Sequence, residues 1–165
     1  MGLLHKIFRI AEPEERAGIE LGNNPANWRV DSVSDAALFF SAVSELVDEE
    51  SIIALHDPLG EDVVEFAISH AAKNKTKVAV GTIWPRSKIH HIKCTKENLS
   101  HLQDLAQRHA QPEIAIHIHA YKAGQVILEW YDAFDDPIYL APTIAESDVE
   151  KFAAKCEGSY EVNAT

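Results

Sequence analysis

The stretch from Glu113 to Phe134 reads EIAIHIHAYKAGQVILEWYDAF. Its two arms alternate apolar and polar residues with a period of two, as half-buried strands do. They meet around Lys122-Ala123-Gly124. A two-residue Ala-Gly turn suits this junction poorly, because type I′ needs positive φ at both positions and type II′ wants glycine first. The residues therefore predict a three-residue loop, with Lys122 and Ala123 near αR and Gly124 left-handed in a G1 bulge. That loop sets Tyr121 opposite Gln125, His119 opposite Ile127, His117 opposite Glu129 and Ala115 opposite Tyr131. One face of the hairpin then carries Ile114, Ile116, Ile118, Ala120, Val126, Leu128, Trp130 and Phe134. The other carries His117, His119, Tyr121, Gln125, Glu129 and Tyr131, and looks outward.

Strands and helices alternate on either side. Residues 28–31 read as a short strand. A helix follows, with Ser34 as N-cap, Asp35 in its first turn and Ala36, Phe39, Phe40, Val43 and Val47 as its apolar stripe. Residues 51–56 read as a buried strand. After the Pro58-Leu59-Gly60 turn, a second helix directs Val63, Ala67, Ile68 and Ala71 inward. Residues 77–84 and 88–94 read as strands. Thr95 caps a helix burying Leu99, Leu102, Leu105 and Ala106, which Pro112 terminates. Beyond the hairpin lie a strand at 138–140 and a last helix. Ser147 and Glu150 form its capping box, Gly158 takes its C′ position, and a final strand covers 160–162.

This order predicts an α/β (α+β) fold: a single mixed sheet of about 5–7 strands with helices packed on it, parallel crossovers in the first half and antiparallel hairpins in the second. Residues 1–24 read as an N-terminal amphipathic helical segment and linker, and 25–165 as a single domain.

With 46% hydrophobic and 25% charged residues over 165 positions, the chain is composed like one folded domain and unlike a disordered segment. The net charge of −11 is spread unevenly. Residues 1–65 hold 14 acids and 4 bases, residues 97–165 hold 12 acids and 4 bases, and residues 66–96 hold 7 bases and no acid. The acidic bulk argues against a general nucleic-acid binder and favours a basic protein partner. Cys94 and Cys156 lack metal-ligand spacing and read as reduced core thiols of a cytoplasmic protein. No apolar run is long enough to span a bilayer.

Three groups of residues carry chemistry. His117, His119 and Glu129, on one hairpin face, are a ligand set for Zn²⁺ or Fe²⁺ with open positions; a metal there polarises an oxygen or activates water. Tyr121 and Tyr131 line the same face and offer hydroxyls to a ligand. His56 and Asp57 close a buried strand just before a helix, where ligands of α/β sheets gather, although a turn-forming Asp57 is the simpler account. Lys73, Lys75, Lys77, Arg86, Lys88 and Lys93 lie near Trp84, His90 and His91, in a basic window suited to phosphate or single-stranded nucleic acid. No Gly-x-Ser-x-Gly, Walker loop or Cys-x-x-Cys is present. The leading expectation is thus a non-enzymatic protein-binding or regulatory module, an inhibitor or immunity-like partner of a basic protein. The alternatives are a metal-dependent enzyme using the His-x-His plus Glu cluster, and anion or nucleic-acid binding through the basic window.

Overall fold

A computed structural model describes Leu21 and residues 26–73 and 87–163. The strand expected at 77–84, most of the N-terminal segment, and Lys75, Lys77, Trp84 and Arg86 lie outside these residues. The described strands are β1 (Trp28–Asp31), β2 (Ile52–His56), β3 (Ile89–Lys93), β4 (His117–Lys122), β5 (Gln125–Trp130), β6 (Ile138–Leu140) and β7 (Ser159–Val162). The helices are α1 (Ala36–Leu46), α2 (Glu61–Ser69), α3 (Lys96–Ala106), α4 (Gln111–Ile114) and α5 (Glu146–Lys155).

All seven strands join one sheet in the order β3-β2-β4-β5-β6-β1-β7. Every neighbouring pair is antiparallel, which corrects the expected parallel crossovers. Helices do connect strands of one direction: α1 joins β1 to β2, α3 and α4 join β3 to β4, and α5 joins β6 to β7. Each of these crossovers is split. β2 lies between β3 and β4, β1 lies between β6 and β7, and three strands separate β1 from β2. Local alternation reports that a crossover exists, but not which distant strand fills the gap.

The helices cover one face. Ile53, Leu55, Ile92, Ile118, Leu128, Trp130, Ile138 and Leu140 point into a core shared with Phe39 and Phe40 of α1, Val63 and Phe66 of α2, Leu99 and Leu102 of α3, and Phe152 of α5. Phe39 anchors it, 4.7 Å from the Trp130 ring and 6.3 Å from that of Phe152. Cys94 and Cys156 are buried there as free thiols, and burial pushes both up to about 12, which keeps them unreactive.

Several boundaries differ from the sequence expectation, each for a local reason. Asp35, not Ser34, caps α1, its carboxylate accepting the Ala37 and Leu38 N–H groups at 2.8 and 2.9 Å. In α2 the larger Phe66 takes the inward stripe with Val63 and Ala67, leaving Ile68 62% exposed and Ala71 exposed beyond the helix end. Thr95 caps α3 as expected, but Pro112 opens α4 and does not terminate α3, because a missing N–H is harmless in a first turn. Helix α5 starts at Glu146 with no side-chain cap, so Ser147 and Glu150 fall inside it; Glu146 and Asp148 complement its dipole instead.

At the end of α5, Glu157 and not Gly158 takes the left-handed C′ position, with φ 57°. Its N–H bonds to Ala154 O and that of Gly158 bonds to Ala153 O, a Schellman motif. Glycine is required one place later, because a Cβ at 158 would stand 2.4 Å from the Asp31 carbonyl oxygen. Gly158→Ala is therefore expected to destabilise the fold by about 2 kcal/mol or more, since main chain cannot yield as a flexible side chain does. Glu157→Gly, which removes a left-handed side chain, should be neutral or gain up to about 1 kcal/mol. Urea unfolding of both variants checks the pair; equal effects at the two positions would contradict this assignment.

Candidate functional site

The hairpin between β4 and β5 departs from its predicted loop. Ala123 and Gly124 form a two-residue turn, both with positive φ (49° and 82°), and Lys122 pairs with Gln125. A β-bulge then shifts the register between Ala120 and Tyr121: Tyr121 faces Val126, Ala120 faces Leu128, and Ile127 is the extra residue. Glu129 consequently opposes His119, not His117. The bulge also moves Val126 to the polar face and lets Ile127 pack against the core. Ile114 sits in α4, and Ile116 precedes the strand, 39% exposed.

Cross-strand partners share a face, so the registers can be read straight across the sheet. One row runs His91, Ala54, His119, Glu129, Tyr139, Arg29, Glu161, with one residue from every strand. A parallel row holds Ile89, His56 and His117. This is the face turned away from the helices. The expectation that it looks outward is corrected: His56 and Glu129 are fully buried, His119 is 1% exposed, and His91 and His117 are buried as well. Leu21 belongs to this face, donating its N–H to Glu129 Oε2 at 2.6 Å.

Within the cluster the polar atoms meet in a line. His119 Nδ1 lies 3.0 Å from His56 Nε2, and its opposite nitrogen, Nε2, lies 3.5 Å from Glu129 Oε1. One imidazole thus faces a second imidazole on one edge and a carboxylate on the other. That is the geometry of a relay; a chelate needs its donors to converge on a single point. Among the described residues no group of three or more His, Cys, Asp or Glu side chains is arranged to hold a metal ion. Two ring nitrogens, His56 Nδ1 and His119 Nε2, are buried without a hydrogen-bond partner among the described residues. His91 Nδ1 is 2.8 Å from the Tyr121 hydroxyl. Tyr131 lies against both hairpin histidines, its ring centroid 5.0 Å from that of His117 and 5.2 Å from that of His119.

His117 is drawn away from the predicted trio. The Asp132 backbone N–H donates to its Nδ1 at 2.9 Å, so that nitrogen carries a lone pair and a neutral ring holds its proton on Nε2. Burial pushes the His56 imidazole down to about 2, reinforced by His119, His117 and His91. Burial also lowers His117, against the opposing pull of Asp132. Neighbouring imidazoles lower His56 and His117 further, because each penalises a proton on its neighbour.

At the carboxyl end of β2 the loops are stitched together. Asp57 bonds Lys88 twice: its N–H donates to Lys88 O at 2.8 Å, and its Oδ1 accepts the Lys88 N–H at 2.7 Å. Asp57 thus ties the end of β2 to the start of β3, and Gly60 occupies the N-cap of α2. Leu59 and Gly60 N–H groups both donate to Glu113 O, Ile116 N–H donates to His56 O, and Ala133 N–H donates to Ile116 O. Three residues at this end hold non-glycine positive φ: Asp57 (49°), Asp132 (38°) and Phe134 (81°). Strain of this kind gathers where a surface is held for use. Sequence reasoning missed His91 as a member of the cluster, because its placement depends on a pairing between β2 and β3 that no local pattern encodes.

Of the basic window, Lys73 and Lys93 come to one cleft with Lys122, while Lys88 sits beside Asp57 at the opposite end of the sheet.

A histidine whose folded pKa is depressed binds its proton more readily in the unfolded chain, so stability falls as pH drops below the unfolded value near 6.5. With His56 pushed down to about 2, acidification from neutral pH to pH 5 should remove about 2 kcal/mol through this residue alone. His117 adds in the same direction. Denaturant unfolding at the two pH values is the measurement, and His56→Asn should flatten the dependence. Equal stability at both pH values would show that His56 is not buried neutral.

No protein-family model matches this chain, and comparisons with curated proteins and with solved structures likewise find no match.

Proposed function

We propose that the chain is a non-enzymatic protein-binding module, an inhibitor or immunity-like protein whose partner is basic. The observation that carries this reading is an apolar pair set among acids at the carboxyl end of β2. Leu59 is 65% exposed and Ile116 39% exposed, in loops joined through Glu113 and His56. The loops and the start of α2 at this end carry Asp57, Glu61, Asp62, Glu113 and Asp132, with Lys88 beside Asp57. Arg108 pairs with Asp62 at 3.5 Å, and His109 contacts Asp62 and Glu113. An apolar centre with a charged rim is the anatomy of a protein interface, and the rim's sign selects the partner's charge. The left-handed turns at Asp57 and Asp132 hold that rim in a fixed shape, which lowers the ordering cost of binding.

Affinity capture from lysate at low ionic strength should retain a basic protein that rising salt releases. Replacing Leu59→Ser together with Ile116→Ser should weaken that complex by about tenfold or more while leaving the melting temperature unchanged. A captured protein that is acidic, or one indifferent to both salt and the double variant, would remove the reading.

His56 Nδ1, buried with no hydrogen-bond partner among the described residues, favours a second reading, in which a divalent metal such as Zn²⁺ or Fe²⁺ engages the imidazoles after a ring rotation. Metal analysis of untagged protein decides it. Stoichiometric metal that disappears in His56→Ala plus His119→Ala supports this second reading, and metal-free protein that takes up none on addition ends it.

A further inference from the structure

A cleft of about 1010 Å³ opens at the end of the sheet opposite the acidic loops, between the β4–β5 turn, the last turn of α2 and the first turn of α3. Its size is that of a small-molecule site. Ile52 and Ala72 form its floor with the Tyr121 ring, a set packed together as a separate apolar cluster on the face away from the helices. Lys73, Lys93 and Lys122 stand on its walls. Lys122 reaches Asp48, whereas Lys73 and Lys93 have no carboxylate partner among the described residues. Glu50 is the acid of the lining. Three ammonium groups against Glu50 and Asp48 leave the cleft positive on a protein of net charge −11. Solubility does not call for such an island, and the floor beneath it is rigid: the Tyr121 hydroxyl is tied to His91, and Asn98 Nδ2 donates to Lys93 O at 3.0 Å to fix the wall.

We propose that this cleft binds a small organic anion, a carboxylate or monophosphate carried on an apolar body of several carbons. Lys73 and Lys93 meet the charged group, and Ile52, Ala72 and the Tyr121 ring cover the body. Neither half suffices alone, because water competes well for exposed lysines and the floor is small. The site lies on a different surface from the proposed protein contact and does not rest on it.

Calorimetric titration of the full chain with octanoate and with octyl phosphate tests the assignment. Either compound should bind at one site per chain in the millimolar range or tighter, and the preferred one identifies the head group. Inorganic phosphate and octylammonium should bind at least tenfold more weakly. Lys73→Gln plus Lys93→Gln should lose tenfold or more in affinity with an unchanged melting temperature, and Lys88→Gln, outside the cleft, should lose nothing. No binding of either anion, octylammonium binding as well as octanoate, or a double variant that binds like the parent would overturn the proposal. Inorganic phosphate binding as tightly as the octyl compounds would overturn the role given to the apolar floor.

Discussion

Keeping the Glu129 carboxylate out of the helix-packed core is the constraint on which the sheet depends. With the Ala123-Gly124 turn alone, continuous pairing would set Ile118 opposite Glu129 and His117 opposite Trp130. Glu129 would then point among Phe39, Leu102 and Phe152, where an unpaired charge costs several kcal/mol. One extra residue, Ile127, reverses the alternation and returns Glu129 to the histidine face. It also returns Leu128 and Trp130 to the core, so a single insertion settles both layers.

The histidine face solves a related problem by different means. Its centre is buried yet polar, and imidazole is the side chain that tolerates this, since it sheds its charge at modest cost near neutrality. His56 and His119 bond one another, His91 bonds Tyr121, and His117 takes a backbone N–H from Asp132. The row of buried rings separates two charged ends. Carboxylates and exposed apolar groups gather where β2 ends, and ammonium groups over an apolar floor gather where it begins. The fold parts the basic window: Lys73 and Lys93 join Lys122 at one edge, while Lys88 goes to Asp57 at the acidic end.

Much of this was legible in the residues themselves. Alternation located β4 and β5, a continuous apolar run located β2, and the core positions of α3 followed from helical spacing. The shared face of His117, His119 and Glu129 was predicted from the wrong loop. An odd loop with continuous pairing and an even turn with one bulge have the same parity, so the face survived while the partner shifted from His117 to His119. What could not be read was long-range. Period-two patterning says that a strand exists and which side is apolar; it is silent on whether its neighbour is parallel, and on what covers the other side. The joining of His56 and His91 to the cluster, and the burial of all of it, depend on those two facts. Ala123 was refused a left-handed turn on sound local grounds, and the pairing of the two strands outweighed that preference.

The split crossovers bear on how such a chain comes to be folded during synthesis. Among the described residues strand β1 pairs with β6 and β7 alone, so an early strand finds its neighbours much later in the chain. Strand β2 likewise waits for β3 and β4 before its main chain is satisfied. As the chain leaves the ribosome, helix α1 emerges with an apolar stripe and no completed sheet to lay it on. Contacts this distant in sequence make collapse late and cooperative. Until Trp130 and Phe152 have been made, Phe39 lacks the two rings it packs against in the finished core.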